Sequence, residues 1–527
     1  MDTQSATDRQ PALGSVFYVS VALSTLFVLW GVVFPRNLAA VATAALDYVM
    51  TSFGWVYIIS TFGFLIFVLY LACGRYGGIR LGKDSDRPEF STLSWLAMMF
   101  SAGMGIGLMF FGVYEPLAHF DNPPFGLAQP GTEEAAQLAI QYSYFHWGLH
   151  AWGIFAVVGL ALAYSVFRRG RSGLISPIFY PILGKRVEGP IGKAIDSLAV
   201  FATLFGSATS LGLGTLQISG GLTSVFGTPN ALTVQLAVIA AMTFCFTLSA
   251  VSGVHRGIQW LSNTNMVLAT LLLLFLLFCG PTVFLLNFFT NSIGNYIGQF
   301  FQMSFRSAVF GDAAWMQDWT IFYWAWWISW APFVGTFIAR ISRGRTIREF
   351  VLGVLFVPSL VSFLWFSVFG GAAIDLNLAG VTDISAATSQ SAVLFDTLNA
   401  YPLGTITSLL AVVLIALFFI SGADAGSVVL GMLTSGGTLK PTMKVVVIWG
   451  TLTGLCAAVL LLAGGLNALQ TAAILSAVPF AFVMMGLCYA LIKDLRSDRR
   501  ASLQAVAVSD THVDAAGDRR ASSRSRS

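Results

Sequence analysis

Charge is scarce in this chain: Asp, Glu, Lys and Arg make up 10% of its 527 residues, against 56% hydrophobic residues. Soluble domains carry about 25% charged residues, so this scarcity, with a mean hydropathy of +0.77, excludes a soluble globular protein and leaves one embedded in a lipid bilayer. Cysteine is also rare. Cys73, Cys245, Cys279, Cys456 and Cys488 lie in apolar stretches without metal-ligand spacing, which excludes a disulfide scaffold and reduces them to small core side chains. Neither a nucleophile–base pair nor a metal cluster is visible in the apolar stretches, so the sequence does not read as an enzyme. Basic patches interleaved with aromatics are missing too. The net charge of +4 is spread over loops and a tail, so it reports orientation and no nucleic-acid partner.

Lys and Arg are wholly absent from 114–140, 223–232 and 375–401. The segments alternating with these hold Arg75, Arg80, Lys83 and Arg87, then Arg168, Arg169, Arg171, Lys185 and Arg186, then Arg340, Arg343, Arg345 and Arg348, then Lys440, Lys444 and the C-terminal tail. Basic loops stay inside, which predicts a cytoplasmic membrane protein with both termini cytoplasmic.

A helix needs about 20 apolar residues to cross a bilayer. Such stretches recur near 15–35, 54–74, 92–113, 141–167, 194–222, 233–252, 258–289, 316–339, 350–372, 402–435, 442–464 and 468–492, which predicts an all-α fold of twelve transmembrane helices. The first stretch is longer than a signal-peptide core and lacks a cleavage site, so it is read as a retained span. Three regions follow: a cytoplasmic tail over 1–14, a transporter-sized membrane domain over 15–493, and a basic tail over 494–527 whose end reads as disordered. That tail could lie on the anionic inner leaflet; the simpler reading is a solvated segment that fixes topology. Residues 290–308 form a weakly amphipathic stretch expected at the outer interface.

Two spans carry helix breakers. The third holds Gly103, Gly105, Gly107 and Gly112, and the eighth holds Pro332 and Gly335. Within lipid, broken helices persist only where protein or a cavity satisfies the freed backbone, so they mark a site. The two spans stand five apart, and an odd number of spans per repeat inverts the second copy. Spans 3–7 and 8–12 therefore fit an inverted repeat with substrate at the midplane and two additional N-terminal helices.

Four indoles fall within the run from Trp324 to Trp330. Indole faces attract cations, and several around one point suit a quaternary ammonium group; the competing reading is a belt of interfacial anchors. On a helix, Trp330, Phe333 and Phe337 fall within about 40° of Trp326, while Trp327 is offset by about 100°. This stripe runs past Pro332 towards mid-membrane, away from where a belt sits, so only Trp324 keeps the anchor reading. Trp147, Trp152 and Phe155 sweep a broad arc on the fourth span, as a cavity lining would. His146 and His150, four apart, are read as hydrogen-bonded core histidines, since no carboxylate or thiol adjoins them in sequence.

Sodium requires oxygen donors, which an unwound third span offers as carbonyls from Ser101 to Met104. Thr203 and Ser207 share a helix face, and Ser421 opens the segment Ser421-Gly422-Ala423-Asp424. Taken alone, such hydroxyls more often bond back to their own helix. Glu115, beside Pro116 at a predicted helix end, and Asp424 are intramembrane acids and so functional suspects; both are read here as structural.

The segment Ala102-Gly103-Met104-Gly105-Ile106-Gly107-Leu108 with Glu115-Pro116, and the segment from Trp324 to Arg345 (WAWWISWAPFVGTFIARISRGR), resemble the glycine-rich third helix and the signature segment of the betaine/choline/carnitine transporter family. The resemblance extends over the membrane domain in span number and order. It implies a LeuT-like 5+5 inverted repeat and secondary transport of a zwitterionic onium solute. It places the onium head in an aromatic prism of Trp147, Trp152, Phe155 and Trp327, with Trp330, Phe333, Ala102, Met104 and Gly107 also at the substrate and Trp326 and Phe337 along the pathway. Phe155 replaces the Tyr of sodium-coupled betaine carriers.

The resemblance further implies one sodium site at Ser101, Met104 and Ser421, with Gly422 in place of a second hydroxyl, and another at Thr203, Ser207 and Phe333. Sodium-independent exchangers have a basic side chain where this chain has Met266. Choline carriers have an acid where this chain has Gly107, so a zwitterion such as glycine betaine is expected. No cofactor is implied beyond Na+ as coupling ion. The family's frequent trimers imply a homotrimer.

Overall fold

The computed structural model describes residues 13–103, 105–251, 255–311, 313–387 and 389–524, with side chains left out at 97, 100–103, 250–251, 255–262 and 499–524. In chain order the helices are α1 (Ser15–Val33), α2 (Pro35–Cys73), α3 (Thr92–Gly103), α4 (Ile106–Asp121), α5 (Glu133–Trp147), α6 (Leu149–Ala163), α7 (Tyr180–Leu183), α8 (Pro190–Phe226) and α9 (Leu232–Val251). The second half holds α10 (His255–Cys279), α11 (Thr282–Gly298), α12 (Phe300–Phe305), α13 (Ala313–Met316), α14 (Phe322–Ile341), α15 (Ile347–Leu378), α16 (Val393–Asn399), α17 (Gly404–Thr434) and α18 (Met443–Arg524). Among the described residues the extended structure is limited to one antiparallel bridge between Arg80 and Thr346. The predicted all-α class is therefore what forms.

The count of twelve is not reproduced by length and composition: eight helices are long and apolar enough to cross a membrane, or nine if one bent pair counts as a span. The count is of the described residues, and it lacks four predicted spans: the eighth, α14, is not among the eight, and three local features account for the others. The third span is split into α3 and α4 around Gly105, as its glycines predict, and neither piece is long enough alone. The last two predicted spans run together as α18, kinked at Gly464 and Gly465. The seventh stretch, drawn from 258 to 289, instead ends at Cys279, and the chain turns by 109° into α11. Pro281 at that corner has no N–H to continue the helix.

The eighth span corrects a second expectation. α14 is continuous from Phe322 to Ile341 with Pro332 inside it, so it is not broken as predicted; a π-turn at Gln317–Ile321 precedes it. Thr336 Oγ1 donates to Pro332 O at 2.6 Å, tying the turn after the proline. An unpredicted break falls instead at Gly148, between α5 and α6. A Cβ there would meet Tyr144 O at 2.5 Å and Phe363 Cε1 at 2.7 Å.

Burial decides which helices form the centre. Of the apolar window of each helix, 89% is buried for α5–α6 and 83% for α8, against 28% for α1 and 17% for α9. Small residues let the central helices approach closely, the packing mode of membrane bundles. A Cβ on Gly335 of α14 would lie 2.7 Å from Val158 Cγ1 and 3.0 Å from Gly159 N of α6, and one on Gly206 of α8 would lie 3.2 Å from the carbonyl carbon of Ser329 in α14.

The basic segments share one face. Leu81 N donates to Arg345 O at 2.8 Å, Arg345 stacks over Trp95 at 4.0 Å, and Arg168 bonds Asp84 at 2.7 Å. Arg169 and Arg171 hold Asp494 at 2.6 and 2.7 Å. The backbone of the predicted disordered tail is helical through Arg524.

Candidate functional site

Trp147 closes α5 and the rest of the predicted prism follows on α6 and α14. Trp147, Trp152, Phe155 and Trp327 are all buried, at 4, 2, 2 and 2% exposure. Trp147 and Trp327 meet edge to face, centroids 4.8 Å apart at 74°. Phe155 adds its edge to Trp327 at 5.9 Å and 76°, and Trp152 meets Phe155 at 5.6 Å and 80°. Edge-to-face contacts at these distances are how buried aromatic rings pack, and they join the four rings into one group. Trp327 is pinned by its indole N–H, which donates to His146 O at 3.0 Å.

Trp330 extends the group, 6.3 Å from Phe155 and 5.5 Å from Phe333. Trp326, expected along the pathway, stacks on Trp327 at 4.7 Å and 16°. Phe337 is half-buried further along α14. Gly107 stands in the first turn of α4, where a Cβ would meet Trp326 Cη2 at 2.6 Å and Trp147 Cη2 at 3.0 Å. The α4 N-terminus therefore abuts the aromatic cluster. Trp324 is not an interfacial anchor: it is buried at 1% exposure and stacks on His150 at 5.3 Å.

The candidate ion ligands divide. Thr203 Oγ1 donates to Ala199 O at 2.8 Å, the back-bond expected of an isolated helical threonine. Ser207 Oγ is buried without a hydrogen-bond partner and faces Gly426 of α17, whose Cβ would stand 3.2 Å away. Ser421 Oγ donates to Phe418 O at 3.2 Å and accepts from Asn265 Nδ2 at 3.2 Å. Asp424 Oδ2 accepts from Ser249 at 2.9 Å, while Asp424 Oδ1 and Asn265 Oδ1 are buried without partners. Gly422 has open space where a Cβ would go. Met104, and the side chains of Ser101 and Ala102, lie outside the described residues.

Sequence reasoning passed over the polar network behind the prism. Glu115 is inside α4 and fully buried, not at a helix end. Its carboxylate accepts from Trp147 Nε1 at 2.8 Å, from His146 Nδ1 at 2.7 Å and from the Tyr323 hydroxyl. His146 Nε2 meets Thr320 Oγ1 at 3.0 Å and His150 Nε2 meets Ser304 Oγ at 3.0 Å, so both histidines are hydrogen-bonded. The sequence held one signal for this network, an acid in an apolar stretch. Nothing in the spacing of His146 and His150 showed that a carboxylate from another helix would meet them.

The donor atoms of Glu115, His119 and His146 lie within 4.8 Å of one another. Two ligands about 2.1 Å from a tetrahedral metal stand about 3.4 Å apart, whereas His146 Nδ1 and Glu115 Oε1 stand 2.7 Å apart, at hydrogen-bond distance. Glu115 and His146 form a hydrogen-bonded pair in this geometry, while His119 Nε2 stands 3.5 Å from Glu115 Oε1 and both ring nitrogens of His119 lack a hydrogen-bond partner.

An all-helical multi-pass membrane protein with a buried aromatic cluster at the broken start of a helix fits the class of membrane transporters, with that cluster as the candidate site. Residues 15–500 match the BCCT, betaine/carnitine/choline family transporter, and the chain belongs to that family. It is 52% identical over 93% of its length to the glycine betaine transporter OpuD of Bacillus subtilis, covering 95% of that protein. It is 48% identical to a probable glycine betaine transporter of Desulfitobacterium hafniense over 92% of this chain and 98% of that one. Identity is 44% to the ectoine/hydroxyectoine transporter of Virgibacillus pantothenticus, over 89% of this chain and 94% of that one. The family and these relatives are transporters, not enzymes.

Proposed function

We propose that this protein imports a zwitterionic compatible solute of the glycine betaine type across the cytoplasmic membrane by sodium symport and alternating access. The observation that carries this reading is the steep pairing of Trp147 and Trp327, 4.8 Å apart at 74°, closed by Phe155. An onium group cannot be hydrogen-bonded, and indole faces attract it at about 0.5–2 kcal/mol per ring. The α4 N-terminus beside the same rings suits the substrate carboxylate. Gly107 supports a zwitterion over a net cation, because an acid at that position would drive into Trp326 and Trp147. The printed activities of the relatives agree, extending from glycine betaine to ectoine.

In this reading the chain forms twelve spans as a LeuT-like 5+5 repeat with two added N-terminal helices, both termini cytoplasmic, as a homotrimer in the bilayer. Ser207, with its free buried hydroxyl, and Thr203 form one sodium site with Phe333; Ser421, with Ser101 and Met104, forms the other. Gly422 and the unpaired oxygen of Asp424 favour a second reading, a sodium-independent exchanger or a proton-coupled carrier of carnitine- or choline-like solutes. Uptake of radiolabelled glycine betaine into proteoliposomes separates them. Accumulation that needs an inward sodium gradient is the expected result. Uptake driven equally well by a proton gradient, or counterflow with no ion gradient, overturns sodium symport.

A further inference from the structure

The Glu115 carboxylate is completely buried, yet its oxygens are occupied by donors from helices that build the aromatic cluster. Trp147 Nε1 on α5 donates at 2.8 Å to one oxygen, which also receives the Tyr323 hydroxyl from α14; His146 Nδ1 meets the other at 2.7 Å. An ionised carboxylate only accepts hydrogen bonds, an indole N–H only donates, and such charge-assisted bonds are short and directional. Each donor is tied to a prism wall. Trp147 is itself a wall, Tyr323 stacks behind Trp327 at 5.8 Å and 23°, and the His146 backbone carbonyl accepts the Trp327 indole N–H. The angle between Trp147 and Trp327 is therefore fixed from behind by one side chain that does not face the prism.

We infer that Glu115 is the positioning residue of the onium prism, latching Trp147 directly and Trp327 through Tyr323 and His146. The inference rests on the proposed betaine-binding role of the prism. Glu115 does not touch the substrate; it sets the faces that do. Removing the latch frees the Trp147 side chain to rotate, so affinity falls while the translocation machinery is left intact.

Equilibrium binding of radiolabelled glycine betaine to the purified full-length protein tests this, with transport measured in proteoliposomes. Glu115→Gln and Tyr323→Phe are each expected to raise Kd and KM at least fivefold with Vmax within twofold of wild type. Tyr323→Phe added to Glu115→Gln should cost no more than twofold beyond Glu115→Gln alone, since Tyr323 acts through Glu115. In ultraviolet resonance Raman spectra, the indole N–H hydrogen-bond band should weaken in Glu115→Gln. Trp449→Phe, which removes a buried indole N–H bonded to Thr434 at 2.9 Å in another part of the bundle, should leave Kd unchanged. If Glu115→Gln does not fold, Tyr323→Phe alone still decides. Unchanged Kd in Tyr323→Phe, or losses that simply multiply in the pair, overturns the inference. Absence of betaine binding by wild type would instead overturn the proposed function.

Discussion

At the scale of single residues, the side chains around Trp327 are held by directional contacts, so substitutions there separate attraction from shape. Trp327→Ala removes one cation-attracting face and should weaken betaine binding roughly 3- to 30-fold, as about 0.5–2 kcal/mol implies. Trp327→Phe keeps a smaller face and should lose clearly less; equal losses by isothermal titration would show that shape governs. Gly422 allows a gain of function. Space is open at its missing Cβ, so Gly422→Ser adds a hydroxyl beside Ser421. One further oxygen contributes about 0.5–1.5 kcal/mol, so the sodium concentration for half-maximal uptake should fall about threefold to tenfold. No change in that concentration would place the cation elsewhere. Thr203, whose hydroxyl donates its hydrogen to Ala199 O at 2.8 Å, keeps its oxygen lone pairs for an ion.

At the scale of helices, the breaks position the site, and they are not all where the glycines and prolines drew attention. The split between α3 and α4 was legible, because four glycines in one apolar stretch weaken helix propagation. Pro332 misled: helices within a bundle tolerate an interior proline, and α14 stays continuous through it in a tightly packed centre. The break at Gly148 was missed because a single glycine in an apolar run is common. Its cause is a close approach, since Phe363 of α15 occupies the volume a side chain would need. Gly148→Ala should therefore overpack this joint, lower stability by about 1–3 kcal/mol and disturb the adjacent Trp147. A lower melting temperature together with weaker betaine binding is expected in thermal-shift measurements; wild-type values in both would show that the joint yields freely.

On the scale of the whole molecule, the basic face is held by ion pairs between distant segments. Arg168, Arg169 and Arg171, after α6, grip Asp494 and Asp498 in α18 at distances of 2.5–2.7 Å. Isolated partly exposed pairs contribute about 0–1 kcal/mol each, but these share partners and tie the start of the C-terminal extension to the bundle. Asp494→Asn with Asp498→Asn should lower the melting temperature by a few degrees and loosen the extension to proteolysis. Deleting residues 499–527, which leaves the clamp whole, should spare both. Equal protection from protease in the double substitution would show that the pairs do not fasten the extension.

The sequence by itself determined the environment and the materials of the site. Scarce charge and long apolar stretches require a bilayer, and Lys and Arg gather in alternate loops. The clustered indoles were legible as well, since these follow from composition and local spacing. Only the tertiary structure decided how those materials meet. It stacked Trp326 on Trp327, buried Trp324 against His150, set Gly107 beneath two indoles and brought Glu115 to Trp147, Tyr323 and His146. Helical spacing relates residues on one element, whereas the contacts of Trp324, Gly107 and Glu115 join four helices, α4, α5, α6 and α14, whose separation in the chain carries no information about their approach.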